Sequence, residues 1–325
     1  MKSTQLPGTQ PPLQGTFYGA HGLRLFFQSW YPPSCCPPSC RPPSCCPSRD
    51  EPDPRPNEAQ RVNQRVKGVF AIVHGLGEHS GRYCTIVEGL TAAGYAVFGF
   101  DNQGHGKSEG QRGHINRWQD YRDNVQAFLQ LVRSQEPSAP LFLMGHSLGG
   151  LIVLDYALRC AQRPEFESLQ IKGLVVSAPP IQPMDSTASS ARIILARLLS
   201  GLLPRLSIKM GLNKSGLSRD AEITQQAAHD PLSHSYVTLR WGSETLSTID
   251  WVKEHIDQLA LPTLLTHGEA DPIVNPEGTR TIFQQIQLPH KSIAIYPGSY
   301  HEPHNDLDAA RVVADLISWL EARTA

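Results

Sequence analysis

Residues 141–154 read LFLMGHSLGGLIVL: an apolar run of strand character, a serine between glycines, and a second apolar run with helical spacing. Gly145-His146-Ser147-Leu148-Gly149 within it forms a G-x-S-x-G pattern. Composition alone produces that pattern about 0.1 times in a chain of this length, so its setting carries the weight. A strand before and a helix after force a sharp turn, and the flanking glycines leave room where β-carbons would collide. The turn presents Ser147 at a helix N-terminus, where unsatisfied N–H groups favour negative charge. The competing reading is a small residue used only for packing at a strand-to-helix corner.

Outward from this stretch the pattern alternates. VFAIVHG, YAVFGFD, PLFLMGH, IKGLVVSAP, PTLLTHG and SIAIYPG read as strands. Between and after them, RYCTIVEGLTAAG, WQDYRDNVQAFLQLVRSQ, LGGLIVLDYALRCA, EGTRTIFQQIQ and DAARVVADLISWLEA read as helices. Short, continuously apolar strands separated by helices predict a mostly parallel, doubly wound sheet in one α/β domain over residues 1–325. Function is then expected at the C-terminal ends of the strands. TFYGA and LRLFFQSWY, on either side of His21-Gly22, predict an N-terminal antiparallel hairpin.

Two stretches interrupt the alternation. Residues 32–64 repeat a P-P-S-C unit and hold Cys35, Cys36, Cys40, Cys45 and Cys46. Proline at that density removes backbone donors, so a disordered, low-complexity loop insertion is expected. A metal- or redox-responsive knot is the rival reading, but no histidine lies nearby and the C-C pairs lack zinc spacing. Cys84 and Cys160 are expected on helices, as core or near-surface residues. The second interruption runs from Ala178 to about Leu259 without a convincing strand. It contains the amphipathic SSARIILARLLSGLLPRLSI. A helical lid over 179–240 is expected above the functional edge of the sheet, with an enlarged helical core layer as the alternative.

A serine hydroxyl needs a base to become a nucleophile, and the base needs an orienting carboxylate. In a fold with this strand–turn–helix corner the chain order is serine, acid, histidine. Asp271 follows the strand in LPTLLTHGEADPIV, and His301 follows the next strand in KSIAIYPGSYHEPHND. His304 is the rival base. Asp250 and Asp257, in the helical STIDWVKEHIDQL, read as solvated-face charges. The oxyanion donors are expected to be the backbone amides of Leu76, in IVHGLGEHSGRY, and Leu148. His74 and His79 share no helical face, which argues against a metal pair. GHGKS at 104–108 is no phosphate-binding loop, since Asp101 stands where that pattern needs glycine.

A net charge of −1 gives no electrostatic reason to expect nucleic acid. No run of about 18 apolar residues suggests a membrane span, and the N-terminus has no apolar core of a secretory signal. The expectation is a cytoplasmic enzyme able to make peripheral membrane contact through its lid. Nothing in the pattern specifies an oligomer.

Taken in order, VHGLGEHSGRY, DNQGHGKSEG, GHSLGG, HGEAD and GSYHEPHND resemble the monoacylglycerol lipase and lysophospholipase-like group of α/β hydrolases. The resemblance covers about residues 15–31 and 66–323 and includes a helical cap ending near HDPL. It implies the α/β-hydrolase fold, Ser147 as nucleophile, Asp271 as acid, His301 as base, and the Leu76 and Leu148 amides as oxyanion hole. It also implies no metal and no organic cofactor. The Pro/Cys insertion departs from the group's pattern. The expected activity is hydrolysis of single-chain lipid esters, monoacylglycerol first, through an acyl-enzyme. Lysophospholipase, general carboxylesterase and amidase activities are alternatives within that chemistry, and a non-catalytic binding module is a distant one.

Overall fold

Alternate residues of the central strands enter two different cores, as the two-residue period requires of a sheet buried on both faces. The computed structural model describes residues 11–33, 35, 65–182, 200–211 and 214–324. Along β3 (Gly68–Val73), Phe70 and Ile72 pack on one side, and Val69, Ala71 and Val73 on the other. β4 (Tyr95–Phe100) and β5 (Leu141–His146) divide in the same way, with Val97 and Phe142 on the first side and Phe98 and Leu143 on the second. Each such side chain, fully buried, contributes about 1.5–3 kcal/mol of transfer free energy.

Among the described residues, eight strands form one sheet in the order β1 (Leu13–Tyr18), β2 (Arg24–Trp30), β4, β3, β5, β6 (Ile171–Ser177), β9 (Thr263–Gly268) and β10 (Ser292–Tyr296). β1 and β2 pair antiparallel and β2 joins β4 antiparallel, while all later neighbours are parallel. This is the expected N-terminal hairpin on a parallel, doubly wound sheet. Helices α1 (Cys84–Ala92) and α7 (Ala309–Thr324) cover the Phe70 side through Ile86, Leu90, Leu316 and Trp319. Helices α2 (Gln119–Gln135) and α3 (Leu148–Cys160) cover the other through Phe128, Leu129 and Ile152, and α6 (Pro276–Gln285) adds Ile282. Cys84 is exposed on α1 and Cys160 buried on α3. Nearly all of the 32–64 insertion lies outside the described residues.

Between β6 and β9 the described chain forms β7 (Ser207–Lys209), α4 (Ala221–His229), β8 (Tyr236–Thr238) and α5 (Leu239–His255). The antiparallel β7–β8 pair differs from the strandless stretch expected there. Its strands have three residues each and β7 is exposed along its length, so no apolar alternation marks them in the sequence. Most of the amphipathic stretch before β7 falls outside the described residues. Helix α5 begins at Thr238, whose hydroxyl accepts from Trp241 N (3.3 Å). It turns Trp241 and Val252 into the core that also contains α3.

Candidate active site

Ser147 occupies the one-residue turn between β5 and α3, with φ 52° and ψ −120°. A non-glycine residue held there costs about 1–3 kcal/mol, which the surroundings must impose. They do so by two bonds: Ser147 N donates to Ser177 O on β6 (2.8 Å), and Leu151 N closes the first helical turn onto Ser147 O (3.2 Å). The flanking glycines are needed for close approach. A β-carbon on Gly149 would lie 2.0 Å from Val73 O, and one on Gly145 would lie 2.2 Å from Gly149 O.

β9 and β10 end beside this turn and bring the other two expected residues to it. His301 Nε2 lies 3.0 Å from Ser147 Oγ, and His301 Nδ1 lies 2.7 Å from Asp271 Oδ2. An ionised carboxylate only accepts, so Nδ1 carries the proton and Nε2 presents its lone pair to the serine hydroxyl. Asp271 is locked from the other side as well. Its Oδ1 accepts from the amides of Ile273 (2.7 Å) and Val274 (3.0 Å), and Oδ2 meets His267 Nε2 at 3.0 Å. Burial works against its charge, but His301 and His267 outweigh it and hold the carboxyl well below the usual range. For His301, burial disfavours protonation, yet the charge and hydrogen bond of Asp271, with Glu302 and Glu78 farther off, leave its pKa raised above 6.5.

The loop after β3 faces Ser147 across a cavity of about 370 Å³ whose lining includes Leu76, Ser147, Leu148 and His301. Leu148 is the first helical residue, so its N–H has no acceptor within the helix. The loop is braced by Glu78, whose Oε1 accepts from Gly75 N (2.5 Å) and Tyr83 Oη (2.8 Å). Burial and the nearby Glu302 push the Glu78 pKa up. Arg82 sits between the two carboxylates, 2.7 Å from Glu302 Oε2 and 3.6 Å from Glu78 Oε2, and so ties this loop to the one carrying His301. The chain between β6 and β9 reaches the same loop: His234 N donates to Gly77 O (2.9 Å), and His79 Nε2 donates to Asp230 Oδ2 (2.7 Å). Gly77, at φ 73°, leaves no room for a side chain, since a β-carbon would lie 2.1 Å from His234 O.

The structure separates the rivals. His304 stacks on Tyr83 (5.1 Å, 6°), and neither ring nitrogen has a hydrogen-bond partner among the described residues. Burial lowers its pKa to about 4. Asp257 is exposed, as is Asp250, which sits at the cavity edge. His74 is used internally, accepting from Asn102 N (2.8 Å) and donating to Gly75 O (2.7 Å), and among the described residues it shares no hydrogen-bond partner with His79. Asp101 organises the GHGKS turn by accepting from Ser80 and from Lys107 N (2.8 Å). Glu78, Arg82, Glu302 and His267 were not expected from the sequence. Their only signals there were GEHSGRY, the glutamate after His301, and a histidine four residues before Asp271. The cavity wall also runs past residue 240, through Trp241, Leu246 and Ile249 of α5.

Residues 64–308 match the Hydrolase_4 family, described as serine aminopeptidase, S33. The monoglyceride lipase of Rattus norvegicus is 30% identical over 262 residues, covering 80% of this chain and 84% of that protein. The monoacylglycerol lipase of Paleococcus ferrophilus superposes with TM-score 0.70 at 32% identity, covering 79% of this chain and 95% of that one. A soluble variant of monoglyceride lipase from Saccharomyces cerevisiae, solved with a substrate analogue, shares the fold at TM-score 0.78 and 22% identity, with both chains fully covered. A corner serine within reach of a carboxylate-held histidine, on this sheet and with these relatives, places the chain in the Hydrolase_4 family of α/β hydrolases.

Proposed function

We propose that this chain is a serine hydrolase that cleaves carboxylic esters of single-chain lipids, monoacylglycerol first among them, through an acyl-enzyme. The observation that carries this reading is the Ser147–His301–Asp271 relay opening onto a cavity walled largely by apolar side chains, Ile181, Met210, Trp241 and Ile249 among them. Glu78, Arg82 and Glu302 give the cavity a polar end beside Ser147. An amphiphilic ester, with one acyl chain and a hydroxylated leaving group, suits that division.

In this reaction His301 Nε2 takes the Ser147 proton as Oγ attacks the acyl carbonyl, and the Leu76 and Leu148 amides bind the oxyanion. Collapse returns the proton to the departing alcohol. Water, deprotonated by the same nitrogen, then releases the fatty acid and free serine. The neutral form of His301 is the working base, so its raised pKa makes activity fall as pH drops below a limb lying above 6.5.

Approach to a lipid surface is part of the proposal. Leu202 (80% exposed), Leu203, Leu206, Ile208 and Tyr236 are large apolar residues left exposed between β6 and β9, and Met210, next to β7, lines the cavity. No helix among the described residues is long and apolar enough to cross a membrane.

The test is turnover of a panel of monoacylglycerols of graded chain length, lysophospholipids and p-nitrophenyl esters by the protein and by Ser147→Ala. Monoacylglycerols are expected to give the highest kcat/KM, and Ser147→Ala to lose at least about a thousandfold. An active Ser147→Ala variant would overturn the mechanism, and a preference for lysophospholipids would overturn the substrate.

A further inference from the structure

His267 is spent on neither the core nor the cavity. It is fully buried on β9, four residues before Asp271. Its Nε2 lies 3.0 Å from Asp271 Oδ2 and 3.2 Å from Val274 O, and its Nδ1 lies 2.7 Å from the buried Thr279 hydroxyl of α6. Both partners of Nε2 can only accept, so this nitrogen carries a proton and shares it between them. In the neutral ring the Thr279 hydroxyl then donates to Nδ1.

We infer that His267 is a positioning residue of the triad, holding the Asp271 carboxylate in the plane from which it orients His301. The acid's two oxygens are supported differently. Oδ1 is fixed by two backbone amides, Ile273 and Val274. Among the described residues Oδ2 receives only side chains, His301 Nδ1 and His267 Nε2. Without His267, Oδ2 would be held only by the imidazole whose orientation it is meant to set. His267 has an independent reference, because its ring is fixed by Thr279 and by the strand that carries it. An N–H on Oδ2 also draws off part of the charge that His301 feels, and so tempers the basicity of that ring. The other groups facing His301 are Glu302 and Glu78, which favour its protonation, and the buried ring of His146, 4.9 Å away, on which His304 packs in turn. None of these touches Asp271 Oδ2 among the described residues.

The inference rests on the proposed triad, and the experiment separates the two. His267→Leu and His267→Gln are compared with the unmodified protein by kcat and pH profile, each normalised to active sites titrated with a fluorophosphonate. Removing the donor is expected to lower kcat per titrated site by roughly ten- to a hundredfold, with KM little changed. It should also move the acid limb upward by about half a pH unit or more, since Oδ2 then faces His301 with its full charge. Gln places an N–H near the same oxygen and is expected to restore kcat to within about threefold. A purely structural residue would reduce only the number of titratable sites, leaving kcat per site and the acid limb in place, and that result overturns the inference. Should His267→Leu not fold, nitrogen NMR of the unmodified protein decides. The His267 ring is expected to carry its proton on Nε2, and a proton on Nδ1 alone would overturn the assignment. Failure of the triad itself reads differently: no fluorophosphonate labelling and an active Ser147→Ala.

Discussion

Gly149→Ala is expected to disable the enzyme while leaving most of its stability. The added β-carbon would lie 2.0 Å from Val73 O and 2.7 Å from His74 O, where real contacts keep at least 3.0 Å. Val73 cannot yield, because β3 is hydrogen-bonded on both sides, to β4 and to β5. The start of α3 must therefore withdraw by about 1 Å. Leu148 N, Ser147 Oγ and the tight turn between them move with it. Overpacking of this kind costs about 1–3 kcal/mol of stability, which a domain of this size can survive. A 1 Å displacement of the proposed nucleophile and of a proposed oxyanion donor costs on the order of a hundredfold in rate. Fluorophosphonate labelling rates and p-nitrophenyl ester turnover, with urea denaturation alongside, measure both effects. Gly150→Ala is the control: its β-carbon would meet nothing nearer than the Val176 methyl at 3.2 Å, and near-normal activity is expected. A Gly149→Ala protein with rates within threefold of the parent would refute the reasoning, because the backbone would have absorbed the carbon without moving the site.

Two further outcomes concern the chain between β6 and β9. Gly242 lies inside α5, and a β-carbon there meets nothing within 4 Å, so Gly242→Ala should raise the urea midpoint, with a gain in unfolding free energy of up to about 1 kcal/mol and no change in kcat. A lower midpoint would mean that α5 is strained at this position. Replacing Leu202 and Ile208 together by serine should weaken co-sedimentation with phosphatidylcholine vesicles and leave turnover of a water-soluble ester intact. Unchanged vesicle binding would remove these two exposed apolar residues as the contact.

Most of the sheet is legible in the sequence because its strands are continuously apolar and spaced by helices of ordinary length. VFAIVHG and PLFLMGH could have become little else, flanked as they are by glycine and amphipathic runs. The β7–β8 pair escaped because three exposed residues give no period to detect. Ser147, Asp271 and His301 were readable for a different reason: each follows an apolar strand at a glycine- or proline-marked turn, and parallel strands end on one side. Preferring His301 to His304 rested on counting residues from the strand end; in the structure His301 Nε2 lies 3.0 Å from Ser147 Oγ, and His304 stacks on Tyr83.

What surrounds those three residues was decided by folding alone. Arg82 and Glu302 are 220 residues apart, and His79 and Asp230 are 151 apart. No local pattern reports such pairs, because their partners are chosen by how loops pack above the sheet. His267 shows the limit most clearly. In the chain it is a polar residue at the end of an apolar strand, next to a glycine that explains itself. Only when β9, the Asp271 turn and α6 come together do its two nitrogens find a carboxylate and a hydroxyl. The linear chain specifies where the reacting groups emerge, since that depends on short-range periodicity and turn chemistry. Tertiary structure specifies which proton each group holds, since that depends on neighbours brought from far along the chain into a buried cluster.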